Sequence, residues 1–212
     1  MQQPSIYFSG FTLHEPVTSI TNLLLSLFCL AMYFKVGKSH AKYWPLFFAS
    51  LSFATFFGAL GHGLYLDKNN ILQLICRIFG IVSVLCASVA SIYYLRNRKM
   101  KLFLNSFAVI QFFTALILII LFNTFTIVKW NGVIGMGLIV AGINFYLTKK
   151  GDNGSIYIFA GVIINAIAGI FHSLNISFSK WFNHNDFSHV IILIGFYCMA
   201  IGAVRLQHYA TV

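Results

Sequence analysis

Seven long apolar runs follow one another along this chain of 212 residues, with only short connections between them. A helix needs about 20 apolar residues to cross the hydrocarbon core of a bilayer. The backbone must bond to itself in lipid, so such runs form helices and not strands. We therefore predict an all-α membrane protein, a single seven-transmembrane bundle over residues 1–212. The predicted helices cover residues 16–36, 43–66, 70–95, 102–123, 128–148, 154–175 and 186–208.

The composition excludes several other classes of protein. Hydrophobic residues make up 59% of the chain and charged residues only 8%, whereas soluble domains carry about 25% charged residues. The net charge of +10 does not indicate a nucleic-acid partner, because the basic residues lie between apolar runs, where they set membrane topology. Four cysteines are scattered singly, without the spacing of a metal site or a disulfide framework. We expect membrane lipids as partners and no nucleic acid; the sequence leaves the oligomeric state open.

The basic residues fall mostly on one side of the predicted bundle, which orients it. Basic loops stay cytoplasmic, so the N-terminus is expected outside and the C-terminus inside, in a bacterial inner membrane. No basic residue precedes the first apolar run, so we expect that run not to be a cleaved signal peptide. One side carries Lys35, Lys38, Lys42, Arg96, Arg98, Lys99, Lys101, Lys149, Lys150 and Arg205. The other side carries Lys68, Lys129 and Lys180, with Arg77 inside helix 3 near it.

Polar side chains within the predicted helices concentrate near one end of the bundle. The alternating helix directions bring them all toward the outer face, whereas the inner half has nothing comparable. Polar groups inside a membrane are costly and mark functional sites by default. This set consists of Glu15, His62, Gln73, Arg77, His172, His184, Asp186 and His189. The remaining histidines, His14, His40 and His208, are expected at the surface.

Three histidines on three helices suit a metal ion. We predict that His62, His172 and His189 hold zinc, with His184 as an alternative ligand. Zinc lowers the pKa of a bound water to about 7, and Asp186 or Glu15 would take and return its proton. The alternatives are that each histidine is satisfied by water or backbone at the interface, or that two of them ligate haem.

Two further side chains at this end are candidates for substrate binding, namely Arg77 and Gln73. Arg77 would orient an anionic head group; alternatively it extends to the interface or pairs with Glu15 or Asp67. Glycines are expected to allow close helix packing. They are Gly58, Gly61 and Gly63 in helix 2, and Gly132, Gly135, Gly137 and Gly142 in helix 5.

Three short windows of this chain resemble the CREST superfamily of seven-helix membrane proteins, which includes the alkaline ceramidases and the progestin and adiponectin receptors. Glu15 with Asn22 seven residues later is similar to the ceramidase pattern in helix 1. The stretch GALGHG around His62 and the stretch DFSH ending at His189 are similar to the family's helices 2 and 7. The resemblance implies the seven-helix fold, zinc at His62 and His189, and hydrolysis of a lipid amide.

The chain departs from the pattern of the superfamily's hydrolases at three positions. Gly58 stands where they carry a serine, Gln73 where they carry an aspartate, and Asn185 where they carry a further histidine. We infer that His172 replaces the missing ligand. The prediction is a metal-dependent hydrolase of a lipid amide or ester bond near the outer face. The alternative is a non-enzymatic lipid-binding or receptor-like bundle that has lost the hydrolase residues; a transporter would need inverted repeats or broken helices that the sequence does not show.

Overall fold

Seven helices form the bundle in this computed structural model, which describes residues 3–65 and 69–206. Each of the seven is long and apolar enough to cross a membrane. They are α1 (Pro16–Gly37), α2 (Trp44–Leu64), α3 (Ile71–Tyr93), α4 (Arg98–Phe122), α5 (Phe125–Lys149), α6 (Ser155–Ser173) and α7 (His184–Arg205). Asp67, Lys68 and His208, to which the sequence analysis assigned positions, lie outside the described residues.

Helix caps explain where the predicted boundaries were wrong. Helix α4 begins at Arg98 and not at residue 102, because the Asn97 side chain accepts a hydrogen bond from the Met100 amide at 3.1 Å. Helix α5 begins at Phe125 and not at residue 128, since Thr124 caps it. Short polar side chains at the N-cap satisfy amides that have no partner inside the helix. Several basic residues assigned to loops therefore belong to helix ends.

Six helices close a ring of neighbours, and the seventh packs outside it. Along the ring α1 contacts α2, α2 contacts α3, α3 contacts α5, α5 contacts α6, α6 contacts α7, and α7 returns to α1. Helix α4 lies against α3 and α5, and only Ala108, Ala115 and Ile119 are buried on it. The middle of α5, Val133–Ala141, is a π-helix, a geometry that is rare in proteins.

Small residues set the spacing between helices, but only some of the glycines predicted to do so lie at close contacts. A Cβ at Gly58 would lie 3.3 Å from Asn22 Oδ1 and Cys76 Sγ, so the packing predicted there is confirmed. Gly61 and Gly63 are equally close to their neighbours. In α5 the prediction holds for Gly135 but is wrong for Gly132, Gly137 and Gly142, around which a Cβ would meet no atom within 4 Å. Those three face away from the neighbouring helices.

A short β-hairpin precedes the bundle and was not predicted. Its strands, β1 (Ile6–Phe8) and β2 (Phe11–Leu13), pair antiparallel with Phe8 opposite Phe11. Ser9 and Gly10 between them both have positive φ, 43° and 86°, as two-residue hairpin turns of type I′ require. The hairpin is tied to α2, since the His14 amide donates to the Gly63 carbonyl at 2.9 Å. It thus delivers Glu15 to the start of α1.

Candidate functional site

The end of the bundle that carries the N-terminus of α1 holds a network of buried polar side chains. We call it the site end. The starts of α1, α3, α5 and α7 and the ends of α2, α4 and α6 meet there, as contacts between their side chains show. Examples are Glu15 with His62, and Lys129 with Ser173. The predicted convergence of polar residues at one end is therefore confirmed.

Glu15 and His62 form a short contact at the site end. Glu15 is 6% exposed and lies at the N-cap of α1 with φ 40°, a left-handed conformation that Pro16 follows. Its Oε2 atom is 2.5 Å from His62 Nδ1. A carboxylate only accepts hydrogen bonds, so His62 donates through Nδ1. The lone pair of His62 Nε2 is then directed away from Glu15 and is able to bind a ligand.

His189 is held in the same way by a hydroxyl group that contacts a carboxylate. Thr21 Oγ1 lies 2.8 Å from His189 Nδ1, 3.4 Å from Asp186 Oδ1 and 3.1 Å from the Thr18 carbonyl. When the Thr21 hydroxyl donates to Asp186 Oδ1 or to the Thr18 carbonyl, it accepts a hydrogen bond from His189 Nδ1. That arrangement leaves the His189 Nε2 lone pair available. The side chains on α2 and α7 are thus oriented by partners on or beside α1.

Asp186 is completely buried and organises the start of α7. Its Oδ2 atom accepts from the Asn183 amide at 2.8 Å and from Gln3 Nε2 at 2.5 Å. Asn183 and Asp186 form a capping box, in which two helix-end amides are satisfied reciprocally. Gln3 also donates to the Trp181 carbonyl at 2.9 Å. The N-terminal segment is therefore bonded into the site end, a role of Gln3 that sequence reasoning missed.

The other histidines predicted for the site lie on α6 and α7. The His172 ring contacts the His184 ring edge-on, with centroids 5.1 Å apart, and contacts Phe125 at 5.3 Å. His14, expected at the surface, is only partly exposed and contacts Ser5 through Nδ1 at 2.9 Å, whereas His40 is exposed as predicted.

The ligand set predicted for zinc is not assembled in the part of the chain that the structure describes. Within residues 3–65 and 69–206, no three His, Cys, Asp or Glu side chains are grouped closely enough to hold a metal ion. His62 and His189 each engage a partner through Nδ1, as metal-binding histidines almost always do with their second ring nitrogen. The zinc site of His62, His172 and His189 stays a prediction, with His172 as the ligand that the geometry supports least.

Arg77 and Gln73, the two predicted substrate-binding residues, are both buried. Arg77 Nη1 donates to the carbonyl and, at 2.5 Å, to the side-chain oxygen of Asn123, and to Asn69 Oδ1 at 3.3 Å. Asn123 ends α4, so Arg77 binds the C-terminus of that helix, an arrangement that the sequence did not predict. The Gln73 side chain lies against Gly61.

The fold and the site together define a bundle of seven helices, each long and apolar enough to cross a membrane, with its buried ionisable groups concentrated mainly at one end. A family model matches residues 17–208, and the chain accordingly belongs to the DUF6962 family, a family of unknown function. No curated protein and no solved structure matches the chain significantly. The resemblance to the CREST superfamily therefore stays a prediction that rests on the three sequence windows.

Proposed function

We propose that this chain is a membrane-embedded, metal-dependent hydrolase that cleaves an amide or ester bond of a lipid. The observation that carries the proposal is the matched orientation of two histidines. His62 and His189 stand on different helices, and each engages a partner through Nδ1 that is, or contacts, a carboxylate. A structural histidine needs one partner of any kind. In both rings Nδ1 is engaged and Nε2 is available, and this matched arrangement favours a ligand that the two rings share.

In this proposal His62 and His189 hold zinc, and His172 completes the set after a change of side-chain conformation. Zinc, when bound, supplies a water of lowered pKa. Glu15 and Asp186 position the two rings: Glu15 directly, and Asp186 through Thr21. Either carboxyl group, that of Asp186 or that of Glu15, would take and return the proton of the bound water. The Glu15 carboxyl group is at the start of α1, beside the ring that it orients.

Metal content and lipid turnover of the purified protein test this proposal. Wild type is compared with His62→Ala and with His40→Ala, a matched control because His40 is exposed in the connection between α1 and α2. We expect near one zinc per chain in the wild type and in the control, and its loss from His62→Ala. Hydrolysis of a panel of lipid amides and esters should be lost with it. A wild type that is purified without chelators and holds no metal would overturn the proposal.

A non-enzymatic lipid-binding bundle is the second candidate. It is favoured by the absence of three grouped ligands within the described ranges and by Gly58 at the position of the hydrolase serine. This candidate predicts that the wild type binds lipid but turns none over, and that His62→Ala leaves lipid binding unchanged. The same preparations therefore distinguish the two candidates.

A further inference from the structure

Lys129 is a cation within a spanning helix that the proposed chemistry does not use. It lies in the second turn of α5, and its side chain is partly buried. Its Nζ atom is 3.3 Å from Ser173 Oγ, at the end of α6, and 5.5 Å from the centre of the Phe125 ring. Ionisable side chains in spanning helices are costly and are usually paired or functional.

The charge of Lys129 is not balanced by any carboxylate of residues 3–65 and 69–206. The whole chain has four acidic residues, of which Asp67 lies outside the described residues. Glu15 is paired with His62, and Asp186 is bonded by Gln3 and Asn183. The fourth, Asp152, accepts from the Gly154 amide and Ser155 Oγ. Lys129 thus has no acidic partner in this part of the chain.

The position of Lys129 links it to the candidate site. The Phe125 ring, which lies beneath the ammonium group, also contacts the His172 ring. Ser173 directly follows His172 in α6. Trp130, next to Lys129, is 64% exposed, and tryptophan is enriched at the membrane–water interface. An ammonium group and a hydroxyl group therefore stand together near the membrane surface, one aromatic ring away from His172.

We propose that Lys129 and Ser173 bind the anionic group, phosphate or carboxylate, in the head group of a membrane lipid whose scissile bond reaches the histidines. This inference rests on the proposed function and adds a substrate class to it. A lysine ammonium group offers three donors around a point charge, and the serine hydroxyl adds a fourth. Lys129 thereby takes the head-group role that the sequence suggested for Arg77, whose guanidinium group binds the end of α4.

Native mass spectrometry of the detergent-solubilised full chain tests the inference without requiring turnover. The probes are phosphatidylglycerol and phosphatidylcholine with the same acyl chains; both carry a phosphate, but the choline ammonium group neutralises it in phosphatidylcholine. We expect the wild type to prefer the anionic lipid by about fivefold, as one basic residue near a membrane surface contributes about 1 kcal/mol. Lys129→Gln should lose this preference and Lys129→Arg should keep it. Lys180→Gln is the matched control, because Lys180 is exposed in the connection before α7.

The outcomes separate this inference from the hydrolase proposal. An unchanged lipid preference in a folded Lys129→Gln variant would overturn the inference and leave the hydrolase proposal standing. A Lys129-dependent preference in a protein that cleaves no lipid would sustain the binding site and contradict the hydrolase. Inorganic phosphate alone should not raise the unfolding temperature of the wild type. A rise that depends on Lys129 would assign the site to a soluble anion and overturn the lipid assignment.

Discussion

The two ends of this bundle place most of their charged residues in different ways. At the site end, Glu15 and Asp186 are buried and bonded to His62, Gln3 and Asn183. At the far end, where α1 ends and α2 begins, the cations lie over aromatic rings at the rim. Examples are Lys42 and Lys101, each 5.4 Å from the Tyr93 ring, and Arg205, 4.8 Å from the Tyr157 ring.

The interior of the far half is filled by large apolar side chains. Trp44, Phe47 and Phe48 are at most 1% exposed, and Phe47 contacts Phe196 edge-to-face at 5.8 Å across the bundle. Apolar packing needs no orientation of protons, whereas a buried polar network has to satisfy each donor and acceptor. We infer from this difference that the apolar packing of the far half stabilises the fold. The site end carries polar groups that the fold alone does not require.

One buried carboxylate at the far end was not expected from the sequence. Asp152 is 2% exposed and lies just before α6, accepting from the Gly154 amide at 2.8 Å and from Ser155 Oγ at 3.0 Å. The prediction that the inner half has nothing comparable is therefore wrong for this residue. Its partners are local in sequence, while Asp186 is bonded to Gln3 from the other end of the chain. The two aspartates thus allow a direct comparison of the two ends.

Replacing Asp186 should give the largest effect. Asp186→Ala removes the capping box and leaves Gln3 Nε2 and the Asn183 amide without their acceptor, so we expect a loss of about 3 kcal/mol in the free energy of unfolding. Asp152→Ala, the matched variant, should cost about 1 kcal/mol, as loss of local hydrogen bonds does. Thermal unfolding in detergent gives both values. Equal losses would mean that the network at the site end adds nothing beyond local hydrogen bonds.

Close backbone packing in the α6–α7 pair should give an intermediate effect. A Cβ at Gly161 would lie 2.5 Å from the Gly195 carbonyl oxygen and 3.1 Å from the Met199 amide nitrogen, and backbone atoms cannot turn aside. We therefore expect Gly161→Ala to cost about 2 kcal/mol, within the range for overpacking.

Gly169 in the same helix is the control for this substitution, because a Cβ there would meet nothing within 4 Å. Gly169→Ala should be neutral or stabilise the protein by up to about 1 kcal/mol, since alanine favours helix over glycine. Chemical or thermal unfolding of both variants checks the pair. If both substitutions destabilise equally, close approach of α6 and α7 does not set the stability of that half.

The sequence predicts the number of helices and the end of the bundle at which polar residues gather. Both depend on hydropathy and on the alternating direction of the helices. The partners of those residues do not follow. Arg77 was correctly placed near this end, but its contact with Asn123 depends on how α3 packs against α4. His184 lies one residue from the position where the superfamily has a histidine, and that rotation of about 100° brings it beside His172.

Gln3 illustrates a different limit of sequence reasoning. It is 4% exposed and binds residues near position 186, yet a single polar residue before the first apolar run shows no periodicity that would indicate burial. The hairpin that follows it was detectable in principle. Ser9-Gly10 between two short β-prone segments is a turn signal, but three-residue strands give too few positions to reveal alternation.

Thr21 should give the smallest effect on stability and the sharpest test of what the site end is for. Thr21→Val keeps the shape of the side chain and removes the hydroxyl that lies between His189 and Asp186. We expect a loss of about 1 kcal/mol in the free energy of unfolding. Thr21→Ser retains the hydroxyl and should stay close to wild type.

If His189 is a ligand, Thr21→Val should weaken zinc binding by about 10- to 100-fold, as loss of a partner that orients a metal-binding histidine does. Zinc titration of the two variants tests this prediction. Equal zinc affinities would mean that the His189–Thr21 bond serves packing alone. The site end would then differ from the far half only in the kind of contact that stabilises it.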